Sequence, residues 1–211
     1  MELKNNLLNN IRYGILLIVL IIGAITIFYF VTSETDSDLV TNTSPCFNDA
    51  WKERNSNFTQ KNSSEYHINR AFDHLKCLEY KMSIDEFNES IAVSEGDPKK
   101  HDWLLTANFY IGFINFELGN FDESEIFYST AIGYSDQSSV RPKWELYRSR
   151  GTVYAKLSKF TEAIADYTKA IELNSTLWKL YKDRSEAYTE LDMLDEAVAD
   201  LEMSEKLKRS N

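Results

Sequence analysis

The chain is short of the residues on which most enzyme chemistry rests. Its 211 residues include 2 cysteines, 3 histidines, 7 glycines and 3 prolines. There is no Gly-rich phosphate-binding loop, no Gly-x-Ser-x-Gly and no Cys-x-x-Cys. Their absence removes the common signals of nucleotide binding, serine hydrolysis and dithiol exchange. His67 and His74 stand seven residues apart, not the four that set two zinc ligands on one helical face, and His101 has no partner motif. No metal, no cofactor and no catalysis is expected. Basic residues are also in deficit, 23 Lys and Arg against 33 Asp and Glu, for a net charge of −10. Residues 1–31 carry Lys4 and Arg12 against Glu2, so the rest of the chain holds −11. A domain of that sign is a poor partner for nucleic acid or for an anionic membrane surface.

What is present at the N-terminus is one long apolar run. Gly14 to Val31 is 18 residues without a charge. As a helix it would reach about 27 Å, close to the roughly 30 Å of a hydrocarbon core. Tyr13 and Tyr29 mark its ends, with Lys4 and Arg12 before it and Glu34, Asp36 and Asp38 after it. That asymmetry predicts a cytoplasmic tail (1–13), a transmembrane helix (14–31) and an extracytoplasmic remainder. Val31-Thr32-Ser33 also offers a small-residue cleavage site, so the alternative is a secreted or lumenal domain, regulatory or catalytic, released after Ser33. Residues 32–63 read as a polar linker with Phe47, Trp51 and Phe58 embedded in it and room for a short helix.

The rest of the chain repeats itself. Leu146-Tyr-Arg-Ser-Arg-Gly-Thr-Val-Tyr-Ala-Lys-Leu157 returns 34 residues on as Leu180-Tyr-Lys-Asp-Arg-Ser-Glu-Ala-Tyr-Thr-Glu-Leu191. Gly112, Leu118, Phe121, Tyr128 and Ala131 hold the offsets of Gly151, Leu157, Phe160, Tyr167 and Ala170. Ala71, His74, Cys77, Tyr80, Ser83 and Phe87 fill the same slots further upstream. Four units follow, at 64–97, 105–138, 144–177 and 178–211, with insertions at 98–104 and 139–143. A period of this length with small and aromatic residues at fixed offsets marks a stack of helical hairpins, each needing its neighbours to bury its apolar face.

These residues resemble the tetratricopeptide repeat family. The resemblance implies an all-α, right-handed solenoid, here behind a single N-terminal transmembrane helix. The chain departs from the family in lacking the proline that commonly closes each unit, the slot holding Glu95, Asp136, Ser175 and Arg209. His74 and Asn115 also stand where an aromatic is usual. The family's groove offsets fall here on Ile68, Phe72, Phe109, Phe113 and Phe116, then on Arg148, Lys179 and Lys182. The resemblance thus implies a groove aromatic at one end and basic at the other. Such a surface suits a protein partner, either an amphipathic helix or an extended peptide with an acidic end. It is equally compatible with a second copy of the chain, or with the linker folded back over the phenylalanines. Two readings of the cysteines stand: a Cys46–Cys77 disulfide, or a buried thiol at Cys77, whose slot holds leucine in the other units. The expected function is a membrane-anchored, non-enzymatic scaffold or accessory subunit of an envelope complex.

Overall fold

The computed structural model describes residues 62–210. The chain divides into Met1–Asp49 and Ala50–Asn211, and the described residues all belong to the second unit. The expected span at 14–31 and Cys46 lie outside the described residues. Among the described residues no helix is long and apolar enough to cross a membrane.

Eight helices and no strand make up the described residues. They are α1 (Ser64–Lys76), α2 (Tyr80–Ala92), α3 (Lys100–Glu117), α4 (Phe121–Tyr134), α5 (Lys143–Lys156), α6 (Phe160–Leu173), α7 (Trp178–Glu190) and α8 (Leu194–Ser210). They pair as hairpins α1–α2, α3–α4, α5–α6 and α7–α8, which stack through α2–α3, α4–α5 and α6–α7. This is the expected solenoid of four units. One boundary differs. The insertion before the second unit is largely helical, since α3 starts at Lys100 and its Asp102 accepts a hydrogen bond from the Ser138 hydroxyl at 2.6 Å.

Each hairpin turns in the same way. Leu78, Gly119, Ser158 and Asp192 take φ of 60°, 79°, 57° and 55° at the end of the first helix. The N–H after each bonds back to the carbonyl five residues earlier, as in Asn120 N–H to Asn115 O at 2.8 Å and Lys159 N–H to Tyr154 O at 2.8 Å. This six-residue closure satisfies carbonyls that the helix leaves open. The same closure accounts for His74 and Asn115. The two side chains it brings together are polar pairs in the first units, His74 Nδ1 to Glu79 Oε2 at 2.7 Å and Asn120 Nδ2 to Asn115 Oδ1 at 3.3 Å. In the third unit they are Lys159 over the Tyr154 ring, 5.7 Å from its centroid.

Small residues set the crossing of each hairpin. A Cβ on Gly151 would stand 2.9 Å from Tyr167 Cε1, and one on Gly112 3.1 Å from Tyr128 Cδ1. Where one of the crossing residues is serine, its hydroxyl binds the opposite backbone: Ser83 to Ala71 O at 2.8 Å, Ser124 to Gly112 O at 2.8 Å, Ser185 to Ala197 O at 2.7 Å. The core runs along the stack. Phe87 of α2 packs with Ala107 and Ile114 of α3, Tyr128 of α4 with Leu146 and Val153 of α5, and Tyr167 of α6 with Ala187 of α7. Cys77 is disulfide-bonded, which replaces the buried-thiol reading.

A repeated arginine joins the units. Arg150 holds Asp166 of its own hairpin through two bonds of 2.8 Å, and its Nη1 donates to Ser129 of the preceding α4 at 3.2 Å. Thirty-four residues on, Arg184 holds Asp200 at 2.7 and 2.8 Å, and its Nη1 donates to Thr168 of α6 at 2.9 Å. In the first unit the pair is Arg70 and Glu86, 2.6 Å apart. In the second unit both partners change together: Ile111 and Phe127 occupy the slots and pack in the first core cluster. The apolar exchange keeps the joint without leaving a lone buried charge.

Candidate functional site: a groove across the first helices

The helices that line the expected groove are α1, α3, α5 and α7. Two adjoining clefts run across the last three. One, of about 190 Å³, is lined by Phe113, Phe116, Tyr128, Arg148 and Thr152. The other, of about 320 Å³, is lined by Arg148, Thr152, Lys156, Tyr167, Asp183 and Glu190 among others. Arg148 and Thr152 belong to both, so one surface passes from an aromatic floor to a charged one.

An ion pair crosses the charged cleft. Arg148 Nε lies 2.7 Å from Asp183 Oδ2, bridging α5 and α7. Burial holds the Asp183 carboxyl above its ordinary range, outweighing the pull of the Arg148 charge. Burial also pushes the Tyr167 hydroxyl up to about 12, so it stays protonated. Tyr167 donates to Thr152 Oγ1 at 3.4 Å, and Thr152 in turn donates to Arg148 O at 2.9 Å. Side chains at this junction are therefore held in place before any partner arrives.

The predicted groove residues divide. Phe113, Phe116 and Arg148 line the clefts. Ile68 and Phe109 do not: both are buried, Ile68 in the first core cluster and Phe109 in the second. Phe109 is covered by Arg141 of the second insertion, whose guanidinium sits 3.8 Å from the ring centroid. Arg141 is itself fixed by Glu145 at 2.8 Å and by the Tyr110 hydroxyl at 2.9 Å. Phe72 meets Phe87 and Tyr110 edge-on and borders a separate cleft on α1 with Leu75 and Asp73.

The basic end is also different from expectation. Lys182 is exposed but pairs with Glu186 at 2.8 Å, and Lys179 lies over the Trp178 ring. With Asp183, Glu186 and Glu190 around the second cleft, that end is mixed in charge and not basic. Sequence reasoning missed Tyr128 and Asp183. The pairing of Lys182 with Glu186 was readable from their i, i+4 spacing. Among the described residues no group of three or more His, Cys, Asp or Glu could hold a metal ion.

The third hairpin decides the kind of repeat, because the tetratricopeptide repeat family model matches residues 144–177. That unit is similar to a tetratricopeptide repeat. The match runs from the first turn of α5 through α6 to the turn before α7, and the other three hairpins share its closure and crossing. DnaJ homolog subfamily C member 7 of Homo sapiens is 36% identical over 109 residues, or 47% of this chain and 22% of that protein. The chain thus spans under a quarter of that relative. Among solved structures, MamA superposes with a TM-score of 0.63 at 17% identity, covering 76% of this chain and 86% of MamA. YrrB, described as a TPR protein with an unusual peptide-binding site, gives 0.59 at 18% identity over 76% and 75%. At such identities the likeness is one of fold: a tetratricopeptide-type solenoid.

Proposed function

We propose that this solenoid is a protein-interaction module that takes a partner peptide or helix in the groove of α3, α5 and α7. The observation that carries this reading is the continuity of the aromatic and charged clefts through Arg148 and Thr152. A large apolar side chain would fill the Phe113–Phe116–Tyr128 cleft. Polar groups beyond it would meet Arg148, Asp183 and Lys156. The partner's polar end need not be acidic, since Lys182 is paired with Glu186 and the cleft is also lined by Asp183 and Glu190.

Phe113 is a poor probe, because it is half-buried and packs against two core clusters. Thr152 borders both clefts, and an arginine there would fill the groove from its edge. Peptides selected from a random library on the full chain should carry an aromatic or large aliphatic anchor. Thr152→Arg should weaken their binding at least about tenfold with little change in melting temperature. Selected peptides that bind Thr152→Arg as well as the parent would rule the groove out.

The reading extends to the whole chain. Residues 14–31 would anchor it as a single-pass membrane protein with the repeats outside the cytoplasm, as an accessory or scaffold subunit. The support is the uncharged run and its flanking charges. Retention in membranes after alkaline extraction, with an intact N-terminus, is the expected result. A mature protein beginning after Ser33 would replace it with the released-domain alternative. The same reading pairs Cys77 with Cys46, which peptide mapping without reductant checks.

A further inference from the structure

Every second helix but the last hands a large side chain to the hairpin that follows. Phe87, Tyr128 and Tyr167 are buried in this way under α3, α5 and α7. The counterpart of Tyr167 on α8 is Leu201, 49% exposed where Tyr167 is 3%. Val198, in the slot of Ile164, is 56% exposed, and Leu194, in the slot of Phe160, is 59% exposed. A cleft of about 580 Å³ lies along the same helix, bordered by Leu201, Glu202, Glu205 and Arg209. Among the described residues nothing covers this face.

The solenoid itself shows what such a face accepts. On α4 and α6 it receives a first helix bearing an apolar residue, an arginine four positions on and a second apolar residue three further. These are Leu146, Arg150 and Val153, then Leu180, Arg184 and Ala187. The arginine donates to Ser129 in one case and to Thr168 in the other. The counterpart of Thr168 on α8 is Glu202, an exposed carboxylate. An arginine arriving in the same register would there make a charge-assisted bond, stronger than one to a hydroxyl.

We infer that the α8 face docks an amphipathic helix of a different protein, seated as α7 sits on α6, with the pattern apolar-x-x-x-Arg-x-x-apolar. A second copy of this chain fits less well. Among the described residues its first helix without a hairpin before it is α1, whose matching residues are Tyr66, Arg70 and Asp73. Stacking would set the Asp73 carboxylate against Leu201 and would need the Arg70 Nη1, which already donates to the Tyr66 hydroxyl at 3.1 Å. This surface shares no residue with the groove clefts, so the two readings fail separately.

The test uses a helix-stabilised synthetic peptide of residues 142–157, which carries Leu146, Arg150 and Val153, added to the full chain. Saturable binding should perturb the amide resonances of Val198, Leu201 and Glu202. Leu201→Asp and Glu202→Arg, both on the exposed face, should each weaken it about tenfold or more while circular dichroism stays unchanged. A peptide with Arg150→Glu should fail on the parent chain and bind the Glu202→Arg chain. Absence of binding, binding indifferent to Leu201→Asp, or perturbations confined to α4 and α6 would overturn the inference. So would self-association of the chain that Leu201→Asp abolishes, since the occupant would then be a second copy. Thr152→Arg should leave the peptide's affinity untouched.

Discussion

Two glycines inside helices carry opposite expectations, because only one has a neighbour. A Cβ on Gly151 would crowd Tyr167 and the Asp166 Cβ, 3.2 Å away, whereas one on Gly133 meets nothing within 4 Å. Gly151→Ala gains about 1 kcal/mol of helix propensity but overpacks the crossing by about 1–3 kcal/mol, so it should destabilise. Gly133→Ala keeps the propensity gain alone and should stabilise by about 0.5–1 kcal/mol. Denaturant unfolding of the two variants checks both signs. At the same scale, Asp183 should titrate above ordinary aspartates in a carbon-detected pH series, and Arg148→Met should move it higher by removing the charge that lowers it. With its folded value raised, Asp183 binds its proton more tightly in the fold. Its contribution to stability is therefore full below the unfolded-state pKa and is lost as pH rises through the folded one.

At the scale of the element, the arginine joint makes a prediction from the protein's own substitution pattern. Asp166→Ala would leave the Arg150 guanidinium half-buried and unmatched, at a cost of about 3 kcal/mol. Changing both, Arg150→Ile with Asp166→Phe, copies the Ile111–Phe127 joint of the second unit and should recover most of that loss in a double-mutant cycle. This joint was legible in the sequence, since Arg150 and Asp166 recur as Arg184 and Asp200 at the same 34-residue spacing. So were the four hairpins and their small crossing residues, which depend on local period alone. The start of α3 at Lys100 was not, because Pro98 and the charges after it read as an insertion. The groove was only half legible. Family offsets say which side of a helix a residue occupies, but not that Arg141, 32 residues away, covers Phe109. They also say nothing of Tyr128 or Asp183, which reach the clefts from neighbouring helices.

At the scale of the whole molecule, each hairpin contacts mainly its neighbours, so stability is close to a sum of hairpins and seams. The seams are chemically unlike. The α2–α3 seam is built from Phe87, Tyr110, Ile111 and Ile114, joined from α1 by Phe72, with aromatic centroids 4.6–5.7 Å apart. The α6–α7 seam adds to Tyr167 and Ala187 the polar ties of Arg184 to Thr168 and, from α5, Arg148 to Asp183.

These two seams should carry different heat capacities. Apolar surface exposed on opening raises the heat capacity and polar surface lowers it, so attraction between apolar groups fades on cooling. As temperature falls toward freezing, the Phe72–Ile111 seam should loosen relative to the Arg184 seam. Amide exchange near 0 °C should then speed up in α1 and α2 relative to α7 and α8. Salt should act the other way, screening the arginine joints while leaving the aromatic one alone. The solenoid would then have a cold-sensitive end and a salt-sensitive end.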